Sequence, residues 1–338
     1  MREGSANADP AGDILSAMGI APVADAVPTP PSTPLHVRPR AFGPGPTRVP
    51  GFAGYAPVVG ERTSLGAAAL RALAERHGIR PKRSLGQHFL LDPNLARAIA
   101  GDTGAGPGER VVEIGAGLGS LTRALAETGA DVLAIELDRA LIPALEESVD
   151  GLDAVRVLPA DAMGFGWLEA LGDEEWILSG NLPYNVATPL VLETLARAPR
   201  IRRLVVMVQR EVGERLAAGP GEEGYGAPSV RVAYRARAAI LRRVPPAVFW
   251  PRPKVESVVV AFDRRERPPV AVEEARLWPV VDAGFAERRK TMRNALRRLG
   301  LDVGEADRSL AEAGIDPAAR AETLSLEDFA RLAEVASR

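Results

Sequence analysis

Cysteine is absent from all 338 residues, and histidine occurs three times, at His36, His77 and His88. Without a thiol, disulfides and thiolate metal sites are excluded, and an intracellular, cytoplasmic setting is expected. Three scattered imidazoles make a histidine-based metal site an unexpected arrangement, so no metal is expected. No apolar run approaches the roughly 18–20 residues of a membrane span, so no membrane partner is expected. Lysine stands only at positions 82, 254 and 290. Positive charge is therefore carried by arginine, a bias we attribute to genome composition.

What is present is charge, unevenly placed. The formal net charge is −2, but residues 99–196 hold 17 acids against 4 bases, a net of −13, and residues 197–298 hold 23 bases against 11 acids, a net of +12. A near-neutral total thus conceals a basic half able to meet a phosphate backbone. The competing reading is a solvated face with no partner. Residues 1–60 carry 11 of the 29 prolines with little periodicity, which predicts a disordered extension. Its acids at Glu3, Asp9, Asp13 and Asp25 argue against an organelle transit peptide, and no basic segment precedes a clean apolar core as a secretory leader requires. The remaining length suits two domains.

Strands and helices alternate from about 110 to 218, with strands expected at 110–114, 131–135, 154–158, 175–179 and 203–208. This predicts a parallel sheet wrapped by helices, with ligands beyond the carboxyl ends of the strands. Residues 110–119 read RVVEIGAGLG: an apolar strand enters a turn with Gly115, Gly117 and Gly119, then a helix. Glycine lets the main chain turn sharply and approach a ligand, and the helix N-terminus favours polar or anionic groups. Glu136 ends the next strand, where a carboxylate can accept both hydroxyls of a ribose. Asp161, after the third strand, is positioned to accept from an adenine amino group. The same logic describes an NAD site, but the spacing here is GxGxG rather than GxGxxG, which favours S-adenosylmethionine. Glycines needed only for packing are the plainer alternative.

Residues 181–184 read Asn-Leu-Pro-Tyr after the apolar run Trp176-Ile177-Leu178. The Asn181 side-chain oxygen and the main-chain carbonyl at Pro183 can accept the two hydrogens of a planar amino group, and the Tyr184 ring offers a stacking face. Two fixed acceptors out of the ring plane favour the pyramidal, nucleophilic form of an aromatic amine, which points to adenine N6. A strand-to-turn junction alone would also account for Asn and Pro.

The segments SLGQHFLLD (84–92), VVEIGAGLGSLT (111–122), NLPYNVATPL (181–190), VPPAVFWPRPKVES (244–257) and RRKTMRNAL (288–296) together resemble the KsgA/RsmA family of small-subunit rRNA adenine-N6,N6-dimethyltransferases over roughly residues 62–338. The wording of the third and fourth looks like that family rather than the similar Erm-type enzymes of large-subunit rRNA. The resemblance implies an α/β fold of the class I S-adenosylmethionine-dependent methyltransferases: Rossmann-like, with a mostly parallel seven-stranded sheet over 61–268 and a small all-helical RNA-binding domain over 269–338. It implies that His88 (by side chain or main chain) and Leu90 (by main chain) contact the donor, and that Phe249 is a second stacking face. The implied substrate is two adjacent adenines near the 3′ end of 16S rRNA, within the 30S subunit or its precursor, and a monomer is expected. Helices are expected over 273–286, 288–299, 305–313 and 325–336, with Arg288, Arg289, Lys290 and Arg293 on a basic RNA-binding helix. Residues 219–228 read as a mobile loop, and 229–240 with 255–262 as a closing antiparallel pair. Two rivals stay open: an adenine-N6 methyltransferase of 23S rRNA, and a ribosome-assembly binding factor with secondary catalysis.

Overall fold

The computed structural model describes residues 65–183, 186–287 and 289–336, apart from the side chain of Arg83. The expected extension over 1–60 therefore lies outside the described residues, as do Tyr184 and Arg288. The described residues belong to one compact unit, Gly54–Arg338.

Its centre is a seven-stranded sheet built from β2 (Arg110–Ile114), β3 (Asp131–Glu136), β4 (Val155–Pro159), β5 (Trp176–Asn181), β6 (Ile201–Gln209), β7 (Ala236–Val244) and β9 (Ser257–Arg264). The order is β4-β3-β2-β5-β6-β9-β7. Strands β2 to β6 run parallel, and β9 lies antiparallel to both β6 and β7. Val111, Val112, Val132, Leu133, Ile177 and Leu178 are all buried. Such continuous apolar runs, rather than alternation, are what parallel strands covered on both faces require. The chain steps outward from β2 to β4 and then returns to place β5 on the other side of β2. That reversal is the crevice where sheets of this kind hold ligands.

Helix α1 (Ala67–Arg76) packs against Phe89, Leu118 and Leu141, and α2 (Pro93–Thr103), α3 (Ser120–Ala126), α4 (Ile142–Ser148), α5 (Ala187–Arg197) and α6 (Arg210–Ala217) pack on the sheet. The start of α2 is written locally. The Asp92 side chain accepts from the N–H groups of Asn94 and Leu95, and Pro93 occupies the first turn, where no N–H is needed. A separate two-stranded ladder, β1 (Phe89–Leu90) with β8 (Phe249–Trp250), pairs antiparallel and registers Leu90 against Phe249.

The expected strand over 229–240 is corrected. Residues Ala227–Arg235 form a helix, α7, and the strand begins at Ala236. The stretch Val230-Arg231-Val232-Ala233-Tyr234 alternates as a strand would. Pro228 in the first turn and the Ser229 hydroxyl, which accepts the Gly226 N–H at 3.0 Å, start a helix instead. Val230 and Tyr234, four residues apart, then turn into one apolar cluster with the C-terminal helices. Those helices are α8 (Glu274–Phe285), α9 (Met292–Arg298), α10 (Val303–Glu312) and α11 (Leu326–Ala336). Residues 219–226 differ from the expected mobile loop, because Gly221 donates to the Glu322 carbonyl and the Tyr225 hydroxyl to the Leu324 carbonyl, both at 2.8 Å. Among the described residues no helix is long and apolar enough to cross a membrane.

Where β2 and β5 register Ile114 against Gly180, a Cβ on Gly180 would stand 2.4 Å from the Ile114 carbonyl oxygen. Only glycine lets the strands close up just before Asn181. Gly180→Ala is expected to lower the unfolding free energy by about 1–3 kcal/mol, as overpacking does, measured as an earlier midpoint in urea.

Candidate active site

Gly115, Glu136, Asp161 and Asn181, drawn from four separate segments, line one cleft at the carboxyl ends of β2 to β5, together with His88, Gly117 and Pro183. The turn after β2 is fixed by the N–H groups of Gly115 and Ala116, both donating to the Ile135 carbonyl. Gly117 adopts φ +59, and a Cβ there would meet the Phe89 ring at 3.1 Å. The main chain is thereby left bare toward the cleft.

Glu136 is buried at 7% exposure. One carboxylate oxygen accepts from Gly117 N–H at 2.9 Å, the other from Asp138 N–H at 2.8 Å. A carboxylate has about four acceptor positions, so these two bonds orient the group and leave capacity on both oxygens for a pair of hydroxyls. Burial raises the Glu136 pKa above its ordinary value, against the pull of those N–H groups. Asp161 is exposed, and its side chain accepts from Met163 N–H at 2.9 Å, which turns the chain after β4 and holds the carboxylate at the rim.

Asn181 is oriented by a neighbour remote in sequence. Its Nδ2 donates to the His88 carbonyl at 2.8 Å. Since a carbonyl can only accept, the amide nitrogen must face His88, and Oδ1 is left as the acceptor. His88 itself donates from Nδ1 to the Pro251 carbonyl at 2.6 Å, which fixes that tautomer by the same logic. The His88 side chain thus braces the segment after β8, while its main chain braces Asn181. The Pro183 carbonyl accepts from both Val186 and Ala187 N–H groups, at 3.2 and 3.1 Å, so its lone pairs serve the start of α5.

Leu90 and Phe249 pack inside the apolar cluster beneath the cleft, at 5% and 4% exposure. The Phe249 ring is therefore not brought to the cleft, in contrast to its expected stacking position. The basic helix also differs from expectation: α9 starts at Met292, leaving Arg289 and Lys290, both exposed, in the turn before it. Arg293 pairs with Asp307 at 2.5 Å.

The family model for ribosomal RNA adenine dimethylases matches residues 78–338. The chain belongs to this family. A ribosomal RNA small subunit methyltransferase A from Moorella thermoacetica is 46% identical over 271 residues, covering 77% of this chain and 94% of that protein. The protein of the same name from Rhodococcus opacus is 45% identical over 282 residues, covering 81% and 95%. Among solved structures, the 23S rRNA methyltransferase ErmE aligns with TM-score 0.59 and 25% identity over 74% of this chain and all of its own. A dimethyladenosine transferase from Plasmodium falciparum aligns with TM-score 0.63 and 22% identity over 72% and 96%, a likeness of fold. The fold is that of the class I S-adenosylmethionine-dependent methyltransferases, and this family member is an rRNA adenine dimethyltransferase.

Several residues that shape this dimethyltransferase site were given no role by the sequence, although Glu113 stands inside the glycine motif. Gly180 permits the close approach before Asn181. Glu113 lies beneath the glycine turn at 1% exposure, hydrogen-bonded to the Thr122 hydroxyl at 2.5 Å. Asp138 grips the segment before β1 through Lys82 and Gln87. The one available signal was an acidic residue inside an apolar strand, which Glu113 supplies. Burial pushes the Glu113 carboxyl up to about 8, the Thr122 bond opposes this, and Glu136 adds to it.

A carboxyl raised in the folded state binds its proton more tightly there than in the unfolded chain, where it ionises near 4.5. The stability it contributes is intact below the unfolded value and is lost as pH climbs toward 8. Glu113→Gln removes this dependence. Relative to wild type, the variant should gain up to about 1.4 kcal/mol per pH unit across that window, measured by urea unfolding at pH 5.5 and 8.

Proposed function

We propose that the protein dimethylates N6 of two adjacent adenines in a loop near the 3′ end of 16S rRNA. It would act in the cytoplasm on the small ribosomal subunit or its precursor, as a monomer and without a metal. The observation that carries the reading is the orientation of Asn181, whose amide nitrogen is held by the His88 carbonyl so that Oδ1 is the group left to accept. The names of the relatives support the choice of subunit.

The residues of the cleft fit S-adenosylmethionine. The bare turn at Gly115 and Gly117 gives room for the methionine part, the Glu136 carboxylate suits the ribose hydroxyls, Asp161 suits the adenine amine, and His88 stands at the mouth, with Leu90 supporting it from the core below. The net −13 of residues 99–196 favours a cationic ligand. When bound, that donor supplies a methyl group made electrophilic by a positively charged sulfur.

The protein's own task is to present the target nitrogen. Asn181 Oδ1 accepts one amine hydrogen. The Pro183 carbonyl, which lines the cleft, would share its lone pairs between the second amine hydrogen and the two helix N–H groups it already serves. Acceptors fixed out of the ring plane pull the amine toward its nucleophilic form and stabilise the positive charge that develops on it. Alignment of the two reacting atoms can lower the barrier by roughly 7–11 kcal/mol. The adenine has to leave its stack, and Tyr184 would return about 1–3 kcal/mol by stacking on it. Phe249, packed beneath Leu90, anchors this wall in the present arrangement, so stacking on it requires the ring to swing out.

We further assign residues 61–268 to the catalytic domain and 269–338 to RNA binding, with Arg288, Arg289, Lys290 and Arg293 meeting phosphates. Arg293 would exchange Asp307 for a phosphate on binding.

The test is incubation of unmethylated small subunits with labelled donor, followed by mass spectrometry of the nucleosides. Dimethyladenosine in 16S rRNA is expected, and label confined to large subunits would overturn the reading. Asn181→Ala should keep donor affinity within a few-fold while transfer falls about 10²–10³-fold, the usual cost of deleting one preorganised hydrogen-bonding group. Glu136→Ala should instead weaken donor binding measured by calorimetry. Charge reversal at Arg289 together with Lys290 should flatten the salt dependence of subunit binding by close to two phosphate contacts.

A further inference from the structure

Residues 82–88 form a strap across the cleft mouth, and Ser84, Leu85, Gly86 and Gln87 line the cleft from that side. Its far end is held at His88, by Asn181 and Pro251. Its near end is held by Asp138, a residue for which the dimethylation reading has no use. Asp138 is buried at 7% exposure. Its two carboxylate oxygens accept from Lys82 Nζ and from Gln87 Nε2, each at 2.8 Å. Burial works against the charged form, yet these bonds and one from Ala140 N–H outweigh it and hold the carboxyl below its ordinary range.

Gln87 is committed at both ends. Its Oε1 accepts from Lys82 N–H at 2.8 Å, closing the turn of the strap on itself, while Nε2 reaches across to Asp138. The same Asp138 donates its own N–H to Glu136. One residue therefore orients the ribose-binding carboxylate through its main chain and fastens the opposite wall through its side chain.

We propose that Lys82, Gln87 and Asp138 form a clasp that sets how firmly the strap closes over the methyl donor, with Asp138 and Gln87 as positioning residues that control donor capture and release. This rests on the cleft being the donor site. The clasp touches neither the target amine nor its acceptors, so it acts first on donor affinity and residence, while His88 at the other end of the strap keeps its own bonds to Asn181 and Pro251. Lys82 is about half exposed, which weakens its ion pair by solvent screening. The Gln87–Asp138 bond, made by a half-buried side chain, is the less screened half.

Gln87→Glu conserves shape and sets a second carboxylate against Asp138, opening the clasp by repulsion. Asp138→Asn conserves shape and removes the charge. The double variant Q87E/D138N again presents one carboxylate to one amide. On the full chain, S-adenosylmethionine binding is measured by calorimetry and its dissociation by stopped flow. Methyl transfer to unmethylated small subunits is followed at varied donor concentration, with Glu136→Ala as the control for the site itself.

Gln87→Glu should raise donor Kd and KM about tenfold through faster release, with the larger part of the loss in KM rather than in kcat at saturating donor. The double variant should recover most of the loss. Unchanged donor affinity and release in both single variants, alongside a Glu136→Ala variant that does lose binding, overturns the clasp and leaves the site intact. A loss carried mainly by kcat at saturating donor, or no recovery in the double variant, overturns it as well. If Glu136→Ala binds donor normally, the site assignment fails first.

Discussion

One hydrogen bond organises the reactive end of this molecule: the Asn181 amide donating to the His88 carbonyl. It ties the last residue of β5 to a strap that precedes the sheet in sequence, and through the His88 ring it reaches the segment after β8. Three stretches separated by many tens of residues meet at this point. The bond also decides which atom of the amide is the acceptor. An aspartate at 181 would set two acceptors against each other, losing the brace and the chemistry in one change. The β1–β8 ladder beneath it, with Leu90 against Phe249, makes the arrangement rigid by burying both side chains in the core.

The electrostatics divide the labour. Carboxylates gather at the carboxyl ends of the parallel strands, where a sulfonium ligand is favoured, and the second half of the chain carries the cations a polyanion needs. Glu113 is the exception that clarifies the rule. Buried within β2 and raised to about 8, it is largely neutral at pH 7. The carboxylates on the cleft lining itself are Glu136 and Asp161. Many of the cations are likewise drawn into local pairs, Arg293 with Asp307 and Arg298 with Glu287 among them. The net excess, more than any one residue, is what a phosphate backbone meets first.

Much of the sheet and its rim was legible in the chain because parallel strands announce themselves as unbroken apolar runs and their ends as glycine or acid. Gly115, Glu136 and Asp161 were located that way and Asn181 by the tetrapeptide it opens, and the structure brings them to one cleft. Helix α7 was misread because valine and tyrosine at every second position imitate a strand, and only the tertiary contact of Val230 and Tyr234 with the last four helices reveals the helical face. The segment 219–226 looked unstructured from its glycines, yet two carbonyls of a distant turn hold it. Asp138 and Lys82 carry no motif, and Gln87, inside SLGQHFLLD, gives no sign of its partner, for a different reason. Their bonds span 51 and 56 positions, a separation that no local spacing encodes. The Phe249 ring, conspicuous in its motif, sits within the core instead.

The strap has a consequence for how the chain tolerates shortening. Helix α1 inserts Leu70 and Leu73 into a cluster with Phe89, Leu118 and Leu141, and the strap follows directly. A protease cutting at the turn around Gly78 would take that helix away from Phe89, Leu118 and Leu141 and leave the pocket's front wall as a loose end.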